Sequence, residues 1–337
     1  MNVDPPVPSP EPRPARRLDR RAWVLLAGFL LLAAVPPIAA ALGQPFLTTT
    51  VTRFVIYAIA AVSLDLILGF GGMVSFGHAA WFGLGGYVVA IAAFHAQEGT
   101  TLLGWGGSNE ALVTWPLAVI VTAAVALPIG ALSLRTSGVH FIMITLAFAQ
   151  MLFYLFVALK YYGGDDGLAL ARRNVLPGLD LRQATTFYYV CLGCLAAWVA
   201  LCRRIVASRF GMVLQGCRQS ERRMAALGYP VYRYKLVAFV VAAGGAALAG
   251  VLWANAARFV SPDMLAWIKS GELMIMVILG GAGTLYGPAL GAAVLLGLEQ
   301  VLAAYTEHWM LVLGPLLVLF VLFAKRGLFG LLAGARP

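Results

Sequence analysis

The sequence is short of charge. Asp, Glu, Lys and Arg make up 11% of its 337 residues, against 61% from the hydrophobic set. Soluble domains carry about 25% charge, so the composition excludes a soluble enzyme or binding module and implies a polytopic helical membrane protein. The alternation over about ten residues that marks a transmembrane barrel strand is missing. Lysine is scarcest: Lys160, Lys235, Lys269 and Lys325 are the only four, and none follows a glycine. A Walker A loop requires G-x-x-x-x-G-K-[ST]. This chain is therefore expected to hold no nucleotide and no other cofactor. If ATP drives it, another subunit hydrolyses the ATP.

Cysteine is also rare, at Cys191, Cys194, Cys202 and Cys217. The C-x-x-C pair lies in an apolar helical run with no His or second pair nearby, so small-residue helix packing is expected, not metal or redox chemistry. Asp165-Asp166 has no second acidic motif beside it and reads as a capped turn in a Gly-rich loop. The net charge of +10 comes with no nucleic-acid motif. In a membrane protein it reads as Lys and Arg held on the cytoplasmic side.

Residues 1–20, rich in Pro and Arg, read as a disordered cytoplasmic tail. Residues 21–330 read as the transmembrane domain and 331–337 as a cytoplasmic tail. Ala22 to Leu42 is the first apolar run. A signal peptide is its rival reading, but the run exceeds an h-region of about 7–15 residues. Further spans are expected at about 54–69, 81–94, 112–132, 139–159, 185–201, 236–255 and 310–324. The loops 97–110 and 160–183 read as external, and the turn at Arg135 and the segment 202–234 as cytoplasmic. The latter carries Arg203, Arg204, Arg209, Arg218, Arg222, Arg223 and Arg233. Trp267 to Gln300 is too long for one crossing and too short for two, which predicts a pair of short or broken spans hinged at Gly280–Gly291. The total is about ten transmembrane or broken helices, with both termini cytoplasmic.

Two stretches stand out. Gly69 to Tyr87, GFGGMVSFGHAAWFGLGGY, carries seven glycines together with Ser75 and His78, and follows Asp65. A broken helix at membrane depth is tolerated where it is buried in protein or lines a watery cavity. Asp65, Gly71, Gly72, Ser75 and His78 are therefore candidates for a translocation path. Gly280, Gly281 and Thr284 echo the Gly-Gly-x-x-Ser pattern of 71–75 and join them; glycine-interrupted segments in corresponding positions point to a transporter pathway. On a helix Ser75 and His78 would share a face. A serine hydrolase would also need a strained nucleophile turn, and the G-x-S-x-G spacing is not met.

The second stretch is SRFGMVLQGCRQSERRMAALGYP. Phe210, Val213, Leu214, Cys217, Met224 and Leu227 recur at helical spacing, Gly228 can end the helix and Pro230 follows. This predicts a short amphipathic cytoplasmic helix, lying on lipid or docking in a partner's groove.

Four blocks then carry a family resemblance: LDLILGFGGMVSFGHAAWFGLGGY, GVHFIMITLAFAQM with YGGDDGL, the segment 210–252, and SPDMLAWIKSGELMIMVILGGAGTLYGPALGA with FAKRGLFGLL. In this order they resemble the LivM-type permease subunits of branched-chain amino acid ABC transporters, over about residues 50–330. The resemblance implies an inner-membrane importer permease of a bacterium. Its implied partners are a second, homologous permease of the LivH type, two cytoplasmic ATPase subunits carrying ATP and Mg, and a periplasmic substrate-binding protein. It further implies an EAA-like coupling helix, matched by Glu221, Ala225, Ala226 and Gly228, with Arg218 beside it. Arg222-Arg223-Met224 depart from the more neutral usual form. Relatives carry urea, short amides or aromatic acids, which remain alternative substrates. A self-contained secondary transporter, with Asp65 or His78 coupling protons, is the alternative from another class.

Overall fold

The structure is a computed structural model that describes residues 20–101, 104–306, 308–323 and 327–333. Of the expected tail over 1–20, residues 1–19 lie outside the described residues, as do Lys325, Arg326 and Arg336, while Arg20 already belongs to a helix. The remainder is almost wholly helical. The helices in order are α1 (Arg20–Ala41), α2 (Pro45–Asp65), α3 (His78–Glu98), α4 (Ala111–Ser133), α5 (Val139–Ala158), α6 (Ala184–Val206), α7 (Arg209–Gln219), α8 (Glu221–Ala226), α9 (Val231–Ala257), α10 (Trp267–Gly280), α11 (Gly287–Tyr305), α12 (Trp309–Phe323) and α13 (Gly327–Ala333).

Among the described residues, seven helices are long and apolar enough to cross a membrane. They are α3, α4, α5, α6, α9, α11 and α2 with its continuation to Phe70. The apolar parts of α1 and α12 are shorter. α10 has only 14 residues, about 21 Å at 1.5 Å per residue, well under the ~30 Å hydrocarbon core. This is the expected all-α polytopic architecture, and with α1, α10 and α12 the expected set of about ten full or partial crossings.

α2 is the central post, in contact with α1, α6, α9, α10 and α11. It starts at Pro45, nine residues before the expected Phe54, because Thr48, Thr50 and Thr52 are buried against neighbours and extend the helix past its apolar run. α3 and α9 approach more closely than side chains would allow. A Cβ on Gly85 would lie 2.6 Å from the Ala247 Cα, and one on Gly250 would lie 2.8 Å from the Phe82 carbonyl carbon. Small residues let helices pack backbone to backbone, where dispersion drives association in lipid.

The loop between α5 and α6 is more ordered than a polar linker. Its strand β1 (Leu168–Ala169) pairs antiparallel with β2 (Phe259–Val260), with Leu168 opposite Val260. Leu168, Leu170 and Leu181 are buried. Asn174 and Asn255 exchange two hydrogen bonds of 2.8 Å, and Arg173 donates to the carbonyls of Asn255 and Leu181. Burial and the nearby Arg258 charge push the Arg173 guanidinium below its usual range. This latch closes the end of the bundle opposite α7 and α8.

Candidate functional site

The Gly-rich stretch is broken over a shorter length than expected. Only Gly71 to Gly77 is non-helical; Gly83, Gly85 and Gly86 lie inside α3. The reason is packing. A Cβ on Gly83 would sit 2.8 Å from Leu265 Cδ1, and Gly85 meets α9. These glycines make room for neighbours and do not break the helix. Two long helices flank the break, so it joins two spans and does not interrupt one.

The break is prepared at the end of α2. Leu66–Phe70 form a π-helical turn, a feature frequent at functional sites. The Met73 N–H returns to the Ile67 carbonyl at 2.8 Å. Asp65, fully buried, stands at the start of this turn. Its Oδ1 accepts the Gly283 N–H at 2.7 Å and its Oδ2 the Leu285 N–H at 3.1 Å. Gly283 and Leu285 belong to the second break, which spans 281–286. The expected hinge at Gly280–Gly291 is therefore shorter: Gly287 to Gly291 already belong to α11, and Gly291 seats that helix on α10, with a Cβ there 2.7 Å from the Gly280 nitrogen. Leu285 has φ +65°, a left-handed conformation that costs about 1–3 kcal/mol in a non-Gly residue and persists only where its surroundings enforce it.

Arg218 of α7 closes the junction. Its Nη1 donates to the Gly69 carbonyl in the π-turn, its charge lies within electrostatic reach of Asp65, and its stem covers Gly72. A Cβ on Gly72, at φ +67°, would lie 3.0 Å from Arg218 Cγ. The two breaks and the arginine-rich helices thus meet at one place. Gly281, at φ +112°, ends α10 with its N–H on the Val277 carbonyl at 3.0 Å. α13, beyond the expected last span at 310–324 and running into the expected tail from 331, packs on this turn: Gly327 lies against Gly280 and Gly281, and Phe329 is buried.

The two breaks share a hydroxyl device. Ser75 Oγ accepts the Gly77 N–H at 3.2 Å, and Thr284 Oγ1 accepts the Gly287 N–H at 3.0 Å while donating to the Gly281 carbonyl at 2.6 Å. Ser75 and His78 do not share a helix face. Ser75 precedes α3, and His78 is its first residue. His78 Nε2 instead meets Ser63 Oγ of α2 at 2.9 Å. Ser63 Oγ also lies 2.7 Å from the Ala60 carbonyl, to which it donates. His78 Nδ1 has no partner among the described residues. Without a base on Ser75, the nucleophile reading has no geometry. Ser270 of α10 supplies the cap α3 lacks, accepting the Ala79 N–H at 2.9 Å.

The arginine-rich segment is two helices, not one. Ser220, at φ −161° and ψ 105°, interrupts it and caps α8 by accepting the Arg223 N–H at 3.3 Å. The local competition of a Ser hydroxyl with the helix ladder is the cause. Phe210 is half-buried and Val213, Leu214 and Cys217 are buried, as the stripe predicts, but Leu227 is 66% exposed. Glu221 pairs with Lys235 of α9. Ala225, Ala226 and Gly228 are exposed, and Gly228, at φ +87° with nothing within 4 Å of its Cβ position, ends α8. A cavity of about 330 Å³ lies between Glu221 and Lys235, the α4–α5 turn and Gly72–Val74. Ser63, Lys235, Ser270 and Leu285 were not singled out in the sequence; each acts through a partner distant in the chain.

An all-α bundle with, among its described residues, seven helices long and apolar enough to cross a membrane defines a polytopic membrane protein. The family described as "branched-chain amino acid transport system / permease component" matches residues 46–322, and the chain belongs to that family. It is 26% identical to the high-affinity branched-chain amino acid transport system permease protein LivM of Salmonella typhimurium, over 90% of this chain and 74% of that one. It is 25% identical to the corresponding LivH protein of Escherichia coli, over 81% of this chain and 91% of that one. It is 24% identical to BraD of Pseudomonas aeruginosa over the same shares. No solved structure matches the chain.

Proposed function

We propose that this chain is a membrane-spanning subunit of an ATP-driven ABC importer and forms part of the translocation path for branched-chain amino acids. Its partners in this reading are a homologous permease of the LivH type, two ATPase subunits that carry ATP and Mg, and a periplasmic substrate-binding protein. It sits in the bacterial inner membrane with α7 and α8 in the cytoplasm, in keeping with their arginines. The chain itself holds no cofactor and binds no nucleic acid.

The observation that carries the reading is the Arg218–Gly69 contact beside Asp65–Gly283. A push on α8 from an ATPase reaches α7 through Ser220, then the π-turn of α2 through Arg218, then the α10–α11 turn through Asp65. Exposed Ala225, Ala226, Leu227 and Gly228 offer a small, partly apolar knob of the kind a partner groove accepts. Differential affinity of the partner for two arrangements then shifts the bundle between them. The secondary-transporter reading would have Asp65 carry protons; both its oxygens hold backbone N–H groups, which favours a fixed structural carboxylate.

The test is uptake in proteoliposomes. Leucine uptake should require ATP, both ATPases, the second permease and the binding protein. Uptake by this chain alone under a proton gradient would overturn the reading.

A further inference from the structure

The end of the bundle opposite α7 and α8 holds two arginines with free donors. Arg53 of α2 and Arg173 of the α5–α6 loop line one cavity of about 350 Å³. Aromatic walls of the same cavity seat both. The Arg53 guanidinium stacks 5.5 Å above the Trp253 ring, and that of Arg173 4.5 Å above the Phe187 ring. Stacking engages the face of a guanidinium and leaves its N–H edge free for a ligand.

Donors in this cavity outnumber acceptors. Arg173 commits Nε to the Asn255 carbonyl and Nη1 to the Leu181 carbonyl, which leaves Nη2 of its five-donor fork free. Arg53 donates to no described residue. Neither arginine forms an ion pair; among the described residues those pairs are Glu221–Lys235 and Lys269–Glu272. The exposed Thr49 hydroxyl adds a donor to the wall, while Thr52 gives its proton to the Thr48 carbonyl at 2.6 Å. No carboxylate, amide or imidazole side chain lines the cavity. Glu299 borders a second cavity that Arg53 also reaches, not this one. Ala184 of the lining is the first residue of α6, so that helix turns the positive end of its dipole this way. α9 brings its negative end, but Arg173 already covers the Asn255 carbonyl there. With α7 and α8 in the cytoplasm this end is external, where Lys and Arg are ordinarily few.

We propose that Arg53 and Arg173 bind a phosphate group between α2, the α5–α6 loop and the start of α6. A carboxylate has two oxygens, which a single guanidinium fork satisfies. A phosphate presents free oxygens in more directions, which suits donors that arrive from a helix and from a loop. The headgroup of an anionic lipid and free phosphate supply the same chemistry. Either ties α2 to the latch that closes this end, so binding to the folded chain reads out as stability. The site stands apart from the Asp65–Arg218 junction and does not depend on what the chain transports.

The experiment heats the full chain, purified in a phosphate-free sugar detergent, with three probes. These are inorganic phosphate exchanged for chloride at constant ionic strength, phosphatidylglycerol, and diacylglycerol, which has the lipid tails without the phosphate. The unfolding midpoint should rise saturably with inorganic phosphate, with phosphatidylglycerol or with both, and not with diacylglycerol. A rise with phosphatidylglycerol alone assigns the site to a lipid headgroup; a rise with inorganic phosphate assigns it to the free anion. Arg53→Gln should raise the half-saturating concentration at least ~10-fold, the loss expected for a charged hydrogen bond. Thr49→Val should act in the same direction and by less. Arg135→Gln, on the exposed α4–α5 turn near α8, should leave the response unchanged. Arg173→Gln is set aside because it also cuts the latch. No rise with either phosphate probe, a response that Arg53→Gln leaves unchanged, or one that Arg135→Gln weakens equally would overturn the site.

Discussion

Asp65 holds Gly283 and Leu285 through its two carboxylate oxygens, across 218 and 220 residues of chain. One side chain thereby ties the break after α2 to the break after α10. Removing it leaves the buried Leu285 N–H and the half-buried Gly283 N–H without acceptors, at up to about 1–3 kcal/mol each. Asp65→Leu should lower stability by about 2–5 kcal/mol, read by thermal unfolding in detergent. Asp65→Asn keeps one acceptor oxygen and should cost roughly half as much. Equal stability of all three proteins would refute the pinning role.

Arg218 joins α7 to the π-turn, so its loss should separate two activities. In the assembled transporter, Arg218→Ala should retain ATP hydrolysis while leucine uptake falls by about an order of magnitude, since the charged hydrogen bond is worth roughly 1.5–3 kcal/mol. Parallel loss of both activities would point to simple misfolding.

Glu221 has a partner within the chain, and that changes how its substitution must be read. Glu221→Lys sets two cations together at Lys235. Any uncoupling it causes should be partly relieved by Lys235→Glu if the internal pair matters, and left unrelieved if only the ATPase contact does. Gly228→Trp has no close neighbour in this chain. It should lower thermal stability by no more than the about 1–3 kcal/mol that a left-handed non-Gly residue costs, with the larger effect on uptake. A large drop in stability would place Gly228 inside the fold and not on a docking surface.

Cys217 reports on α7. Its thiol is buried, and burial pushes its pKa above the usual thiol range. A raised pKa means less thiolate at pH 7–8, and the thiolate is the reactive form. Maleimide labelling should therefore be slow in the resting protein and quicken in Arg218→Ala. Fast labelling of the unmodified protein would contradict the seating of α7.

Ser270 caps α3 from another helix, and Ser270→Ala should cost about 0.5–2 kcal/mol, as other cap deletions do. The loss should appear as earlier hydrogen exchange at Ala79 and its neighbours; unchanged protection there would show that Ser270 is not the cap.

The membrane class, the order of the apolar helices and the places of the two glycine breaks were readable along the chain, because hydrophobic runs and glycines act locally. The apolar stripe of α7 was readable for the same reason. Its interruption at Ser220 was not, since a Ser is compatible with either state until the next turn folds back. Nor was the division of labour among seven glycines: whether a glycine breaks a helix or seats another one depends on the neighbour, and Ala247, Met264 and Leu265 come from about 160 to 180 residues further along the chain.

The stretch from Gly69 to Tyr87 shows where the boundary lies. It is one of the four sequence blocks whose order carries the family resemblance, since a block is a property of consecutive residues. That Ser75 merely closes a turn, that His78 answers to Ser63, and that Asp65 and Arg218 bind the two breaks together were decided by tertiary structure. Hydrogen bonds spanning from 15 to 220 residues leave no periodicity in a sequence; they exist only once the packing of α2, α7 and α10 has brought their donors and acceptors within reach.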